Sequence, residues 1–405
     1  MTLAAGPPPV RRWPGAWLRA PRVARGIALA LSVVACGTQG TAVPEAAAGT
    51  ARRATSLPSP ADTSFGGVIS RLSEPGGYFD TDNLISNEAS YLHAVSTLRQ
   101  LGVRGGAFLG VGPDQNFSYV AAIRPSVAFM VDLRRDNLLE HLLFKAIFTR
   151  ARNRAEYLAL LFGRPVPEPL DAWDERPVEE IIEYLDAAPS LPDTAATARR
   201  LVLETVRGFG VPLAPADLAT IDRFHASFIA AGLDLRFTSI NRPARPYYPT
   251  YRQLLIERDR EGRQASYLAN EADWRFVREL QRRDRVIPVV GDLAGEHALP
   301  EIGRWLHERG ERVSAFYTSN VEYYLMQDGS FERFVQNVAA LPRAEPSVII
   351  RSCFGWACGA SHPETLPGYF STQLVQRIPS LLEEQRRGGY RTYADVVTKH
   401  VVNGR

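Results

Sequence analysis

Phe108-Leu109-Gly110-Val111-Gly112-Pro113-Asp114-Gln115-Asn116-Phe117, and then Val131-Asp132-Leu133-Arg134-Arg135, decide how this chain is read. A short apolar run (106–111) ends in glycines. A helical stretch (117–123) follows, and a second apolar run (127–131) ends in an acid. Glycine at such a turn lets a ligand approach the backbone closely. The helix N-terminus behind it offers free N–H groups and the positive end of a dipole. An acid at the tip of the second strand is placed to bind ribose hydroxyls. Gly110, Gly112, Gln115, Asn116 and Asp132 are therefore the candidate cofactor-binding residues. Gln115 stands where the dinucleotide fingerprint has its third glycine, and a bulky residue there spoils packing around a pyrophosphate. The expected ligand is a nucleoside without one.

Outward from this segment, three more apolar runs (286–290, 313–317 and 348–350) read as buried strands, being short, continuous and rich in Val, Ile and Phe. Helical periodicity fills 88–101, 137–152, 179–187, 195–208, 215–231, 274–283, 299–309 and 331–340. Strands alternating with helices predict an α/β fold: a mainly parallel, Rossmann-like sheet with helices on both faces. The interval of about 136–285 is mostly helical and far longer than a crossover needs. It predicts a helical insertion between the second and third strands, serving as a lid, a substrate wall or extra scaffold.

The turn and the acid after it resemble the first two motifs of class I S-adenosylmethionine-dependent methyltransferases. The resemblance covers about 100–360 and implies S-adenosylmethionine as cofactor and transfer of its methyl group to a small acceptor. The later strand ends, Gly291-Asp292 and Tyr317-Thr318-Ser319-Asn320, then line the adenine pocket and the transfer site. This adds Asp292 and Ser319 to the cofactor-binding set and makes Asp292, Tyr317 and Asn320 the catalytic candidates. The phrases GGYFDTDNLISNE, PVVGDLAG and FYTSNVEYYL also resemble an uncharacterised bacterial family, which brings no mechanism.

Other residues carry weaker signals. Residues 76–83 precede the first helix and form either a flap over the ligand, with Tyr78, Asn83 and Glu88 pointing inward, or a segment packed on the sheet. His141 and Lys145 share a helix face, expected to be solvated. The histidines show no paired ligand spacing, so no metal site is expected. Cys353 and Cys358 either pair or stay as two packed thiols.

The 405 residues carry 47 Lys+Arg against 44 Asp+Glu. The excess sits in the leader, where Arg11, Arg12, Arg19, Arg22 and Arg25 meet no acid. The body gives no electrostatic reason to expect nucleic-acid binding. Residues 1–35 read as a secretory signal, with an apolar core before Val33-Val34-Ala35-Cys36. That tetrapeptide resembles a lipobox, which implies lipidation at Cys36, a cell-envelope location and membrane contact through the lipid anchor only. Residues 36–63 read as a flexible tether and 64–405 as the folded body. An exported protein does not normally meet S-adenosylmethionine, a cytoplasmic metabolite. Three resolutions stand: the leader is misassigned and the protein is cytoplasmic; it is a non-catalytic envelope lipoprotein that binds a small ligand or a protein partner; or the ligand of the site is another small molecule.

Overall fold

The computed structural model describes residues 63–81, 83–239, 245–358 and 362–402. The signal, Cys36 and nearly all of the tether lie outside the described residues. Helices α1 (Phe65–Leu72) and α2 (His93–Gln100) lead into β1 (Ala107–Gly110), α3 (Asn116–Ile123) and β2 (Val127–Asp132). Among the described residues, seven α-helices then precede β3 (Val286–Val290): α4 (Arg135–Arg150), α5 (Arg154–Leu161), α6 (Val178–Ala187), α7 (Pro192–Arg207), α8 (Pro215–Ala231), α9 (Tyr251–Ile256) and α10 (Glu271–Arg282). After β3 come α11 (Ala298–Glu308), β4 (Val313–Ser319), α12 (Val321–Gln327), α13 (Phe331–Ala340) and β5 (Arg343–Phe354). The chain closes with α14 (Gly355–Cys358), β6 (Ser371–Arg377), α15 (Ile378–Arg386) and α16 (Tyr393–Thr398).

The strands form one six-stranded sheet in the order β3-β2-β1-β4-β5-β6. Neighbours from β3 to β5 run parallel, and β6 is antiparallel to β5. The strand order reverses between β1 and β4. Open α/β sheets bind ligands at the carboxyl ends of their strands at such a reversal. Every residue of β1, β2 and β3 is buried. An unalternating apolar run requires such cover on both faces of the sheet.

Several elements, α1, α5, α9, α12, α15 and α16 among them, were not expected from the sequence, and two further departures bear on the site. The helix expected at residue 88 begins at His93. Before it, the Ser86 hydroxyl accepts the Glu88 N–H (3.1 Å), and short turns close from Tyr91 to Glu88 and from His93 to Ser90. Serine side chains compete here with the helical ladder. The strand β6 has no apolar run to announce it: its Thr372, Gln373 and Gln376 are buried polar residues.

Helix α4 is the centre of the long interval. It packs on β2 and β3 and also on α7, α8 and α10. All its residues from Asn137 to Phe148 are buried. The solvated face expected at His141 and Lys145 is therefore covered. Lys145 donates to Asp284 Oδ1 at 2.7 Å, with its ammonium 4.4 Å from the Phe65 ring centre. Farther on, Cys353 and Cys358 are joined by a disulfide at the corner from β5 into α14. No described helix is long and apolar enough to cross a membrane.

Candidate functional site

The turn after β1 is organised by its own asparagine. Asn116 Nδ2 donates to the carbonyls of Val111 (2.9 Å), Gly112 (3.2 Å) and Pro113 (2.8 Å). The Asn116 oxygen occupies the space that a Cβ on Gly110 would need, which explains glycine there. Gly112 has φ +86°, a region glycine enters without strain. His141, reaching across from α4, donates from Nε2 to the Gly112 carbonyl at 2.9 Å. Burial lowers this imidazole to about 4, so it is neutral at pH 7. With Nε2 carrying the proton, Nδ1 is a bare acceptor.

Around this turn, buried polar atoms stand without a protein partner. They are Gln115 Oε1, Asn116 Oδ1, His141 Nδ1, and both side-chain polar atoms of Asn137 in the first turn of α4. Asn137 and His141 are each 1% exposed. Spacing of i,i+4 puts them on one face. An unmet polar atom in an interior costs about 1–3 kcal/mol, so native folds keep few of them. Here Gln115 lies in the turn, His141 bonds its Gly112 carbonyl, and Asn137 stands one helical turn before His141.

Asp132, at the carboxyl end of β2, is held by Arg134. The guanidinium reaches it from Nη2 to Oδ2 at 3.0 Å and from Nε to Oδ1 at 3.2 Å, and the Arg134 N–H adds 2.9 Å to Oδ1. Both side chains are buried. Asp292 caps its own turn, accepting the Ala294 N–H at 2.9 Å, while its N–H donates to Glu74 Oε1 at 2.7 Å.

Tyr317 and Ser319 meet at the end of β4 on a residue from the N-terminal segment. The two hydroxyls donate to opposite oxygens of Glu88. Gln373 Nε2, from β6, donates to the same oxygen as Tyr317 at 2.9 Å and to Ser352 Oγ at 2.7 Å. Glu88 is 1% exposed, and burial raises its carboxyl despite these donors. Asn320 follows Ser319, and both are partly exposed. Gln115 interacts with the Tyr317 hydroxyl, linking this cluster to the β1 turn. Of the flap residues, Glu88 points inward, Asn83 lies beside Gly112 and Tyr78 is 74% exposed.

A third cluster was not visible in the sequence. Asp114 Oδ2 accepts the hydroxyls of Tyr251 (2.6 Å) and Tyr267 (3.0 Å), and Tyr267 pairs with Tyr157 at 3.2 Å. Burial lifts the Asp114 carboxyl to about 6. Asp114 lies in the turn but was not among the candidate residues. Its tyrosines come from α5, α9 and the stretch before α10, far along the chain, so no local spacing announced them. Among the described residues, no group of acids, histidines and cysteines could hold a metal ion.

The arrangement defines an α/β protein with a buried polar centre at the reversal of its sheet, rich in neutral donors and acceptors. By sequence the chain belongs to a family described as a domain of unknown function (DUF7790), matched over residues 84–168 and 227–401. The match spans the β1 turn, Glu88 and every strand. It omits residues 169–226, which hold α6, α7 and most of α8. No curated protein matches the chain.

Proposed function

We propose that this protein is a Rossmann-like binding protein for a small polar molecule, tethered to the bacterial cell envelope through a lipidated Cys36. The ligand lies at the reversal between β1 and β4, against Gln115, Asn137 and His141. One observation carries the reading: Gln115 in the turn, His141 bonded to the Gly112 carbonyl and Asn137 one helical turn before His141 all keep buried polar atoms without a protein partner. The strand order supports the Rossmann-like assignment, since dinucleotide-binding sheets share it. Neutral His141 and the amides of Gln115 and Asn137 suit an uncharged group with its own donors and acceptors, such as a nucleobase or an amide.

A second reading is methyl transfer from S-adenosylmethionine, with Asp292, Tyr317 or Asn320 orienting the acceptor by proximity. The partly exposed Ser319–Asn320 edge favours it. Two features weigh toward binding alone: Arg134 already occupies the Asp132 carboxylate, and the Asn116 amide fills the turn.

Calorimetric titration of the purified protein with S-adenosylmethionine, S-adenosylhomocysteine and NAD separates the readings. Binding of the first two that is lost in Asn137→Leu supports a nucleoside site. Failure of all three removes the nucleoside. Palmitate labelling of cells that is lost in Cys36→Ser checks the anchor.

A further inference from the structure

We propose that Ser319 and Glu88 form a reacting pair, with Ser319 Oγ the nucleophile toward the carbonyl carbon of a small ester or thioester and Glu88 its base. The proposal rests on the reading that the carboxyl edge between β1 and β4 is the functional site, and extends it from binding to chemistry.

Backbone geometry singles out Ser319. It closes β4 at φ +52°, in the left-handed region that a serine rarely enters. Non-glycine residues held there cluster at functional sites, where the strain aims a side chain. The register of β4 against β5 also shifts between Tyr317 and Ser319. Irregularities of this kind re-aim side chains beside active sites. A strained serine at a strand-to-helix turn is the arrangement by which α/β-sheet hydrolases present a nucleophile.

The hydroxyl so aimed donates to Glu88. The other Glu88 oxygen is fixed by Tyr317 and Gln373, so three donors converge on a group that, when ionised, only accepts. A carboxylate held in this way is oriented to take the Ser319 proton. Burial raises its proton affinity, which suits a base. Glu88, Tyr317, Ser352 and Gln373 are all buried; Ser319 is the partly exposed member of the cluster. Among the described residues, no Lys or Arg pairs with any of them. The surroundings therefore suit a neutral carbonyl better than a phosphoryl group.

The steps balance with water as the only co-reactant. Oγ bonds the carbonyl carbon as its proton passes to Glu88 Oε1 and the carbonyl electron pair moves to oxygen. That pair returns and expels the alkoxide or thiolate, which takes the proton from Glu88. Water then attacks the acyl-serine, giving a proton to Glu88. The carboxylic acid leaves as Ser319 Oγ regains that proton. Tyr317 and Gln373 are positioning residues.

The test treats the full chain with 4-nitrophenyl acetate and, separately, a fluorophosphonate probe, with mass spectrometry locating the adduct. The expected result is a single adduct on Ser319. It is absent in Ser319→Ala and Ser319→Gly, and forms about 100-fold more slowly in Glu88→Gln. No adduct on the wild type, an adduct on another residue, or unchanged labelling of Glu88→Gln overturns the proposal. Thermal unfolding of each variant is read alongside, and Ser319→Gly, which suits the backbone, serves if Glu88→Gln does not fold. Labelled Ser319 with no nucleoside binding removes the nucleoside reading and leaves this one. Nucleoside binding with no adduct does the reverse.

Discussion

Arg134 grips the carboxylate of Asp132 from two residues away, with Nη2 and Nε each on a different oxygen at 3.0 and 3.2 Å. Both side chains are under a tenth exposed. The pair engages both oxygens of the acid that was expected to meet a ribose. Removing one partner of a buried ion pair strands the other charge in the interior.

Asp132→Ala is therefore expected to lose about 3 kcal/mol of unfolding free energy, measured by urea denaturation. Asp132→Ala combined with Arg134→Leu should recover part of that loss, because no charge is then left alone. A double variant no more stable than Asp132→Ala would show that the ion pair does not carry the effect. Loss of ligand binding in Asp132→Ala alone is uninformative unless the variant is shown to be folded.

Ser319→Gly and Ser319→Ala remove the same hydroxyl from Glu88 but differ in backbone freedom. At φ +52° the alanine keeps the strain and the glycine relieves it. Ser319→Gly should be more stable than Ser319→Ala by about 1 kcal/mol. Equal melting temperatures would mean that the turn relaxes without the serine.

What the sequence made legible follows from burial. The strands β1 to β5 announced themselves because a sheet covered on both faces needs unbroken apolar runs, such as Val286–Val290. The strand β6 did not, because its polar residues meet partners that only folding supplies: Gln373 donates to Glu88, and Gln376 accepts from Arg351. Helical periodicity showed that His141 and Lys145 share a face but not that α7 and α8 cover α4. The candidate site was legible where strand ends mark it, at Gly112, Tyr317 and Ser319. Glu88, read as one member of an optional flap, takes its place through contacts 229 and 231 residues away. Asn137, the least satisfied side chain at the turn, carried no motif at all.

Acid sensitivity tests the Asp114 cluster. Burial raises Asp114 from 3.8 to about 6, so its stability contribution is full below 3.8 and is lost as pH rises through about 6. His141 and His225 are lowered from 6.5 to about 4, so their contribution is full above 6.5 and is lost as pH falls toward 4. The two effects oppose each other between pH 6.5 and 4. Asp114→Asn removes the first and leaves the second. Between pH 7.5 and pH 5 the variant should lose about 1 kcal/mol more than the wild type, measured by urea denaturation at both values. Parallel pH profiles would place the Asp114 carboxyl in the ordinary range.

The fully buried pair of Glu322 and Arg351 makes the strongest stability claim. Arg351 donates to Glu322 from Nε at 2.6 Å and from Nη2 at 3.0 Å, and to Gln376 Oε1 at 2.7 Å and the Val396 carbonyl at 3.0 Å. The arginine thus ties β5 to α12, β6 and α16. Arg351→Met leaves the Glu322 carboxylate in the interior with only the Thr318 hydroxyl, at 3.4 Å, beside it. The expected cost is about 4 kcal/mol. Glu322→Gln keeps the shape and a hydrogen-bonding oxygen but removes the negative charge, so Arg351 retains neutral acceptors, and its cost should be smaller. Because neither side chain bonds a member of the Glu88 cluster, a folded Glu322→Gln protein should keep Ser319 labelling. Chemical denaturation of the two variants decides the order: if Arg351→Met is the more stable one, the stranded Arg351 guanidinium costs more than the stranded Glu322 carboxylate.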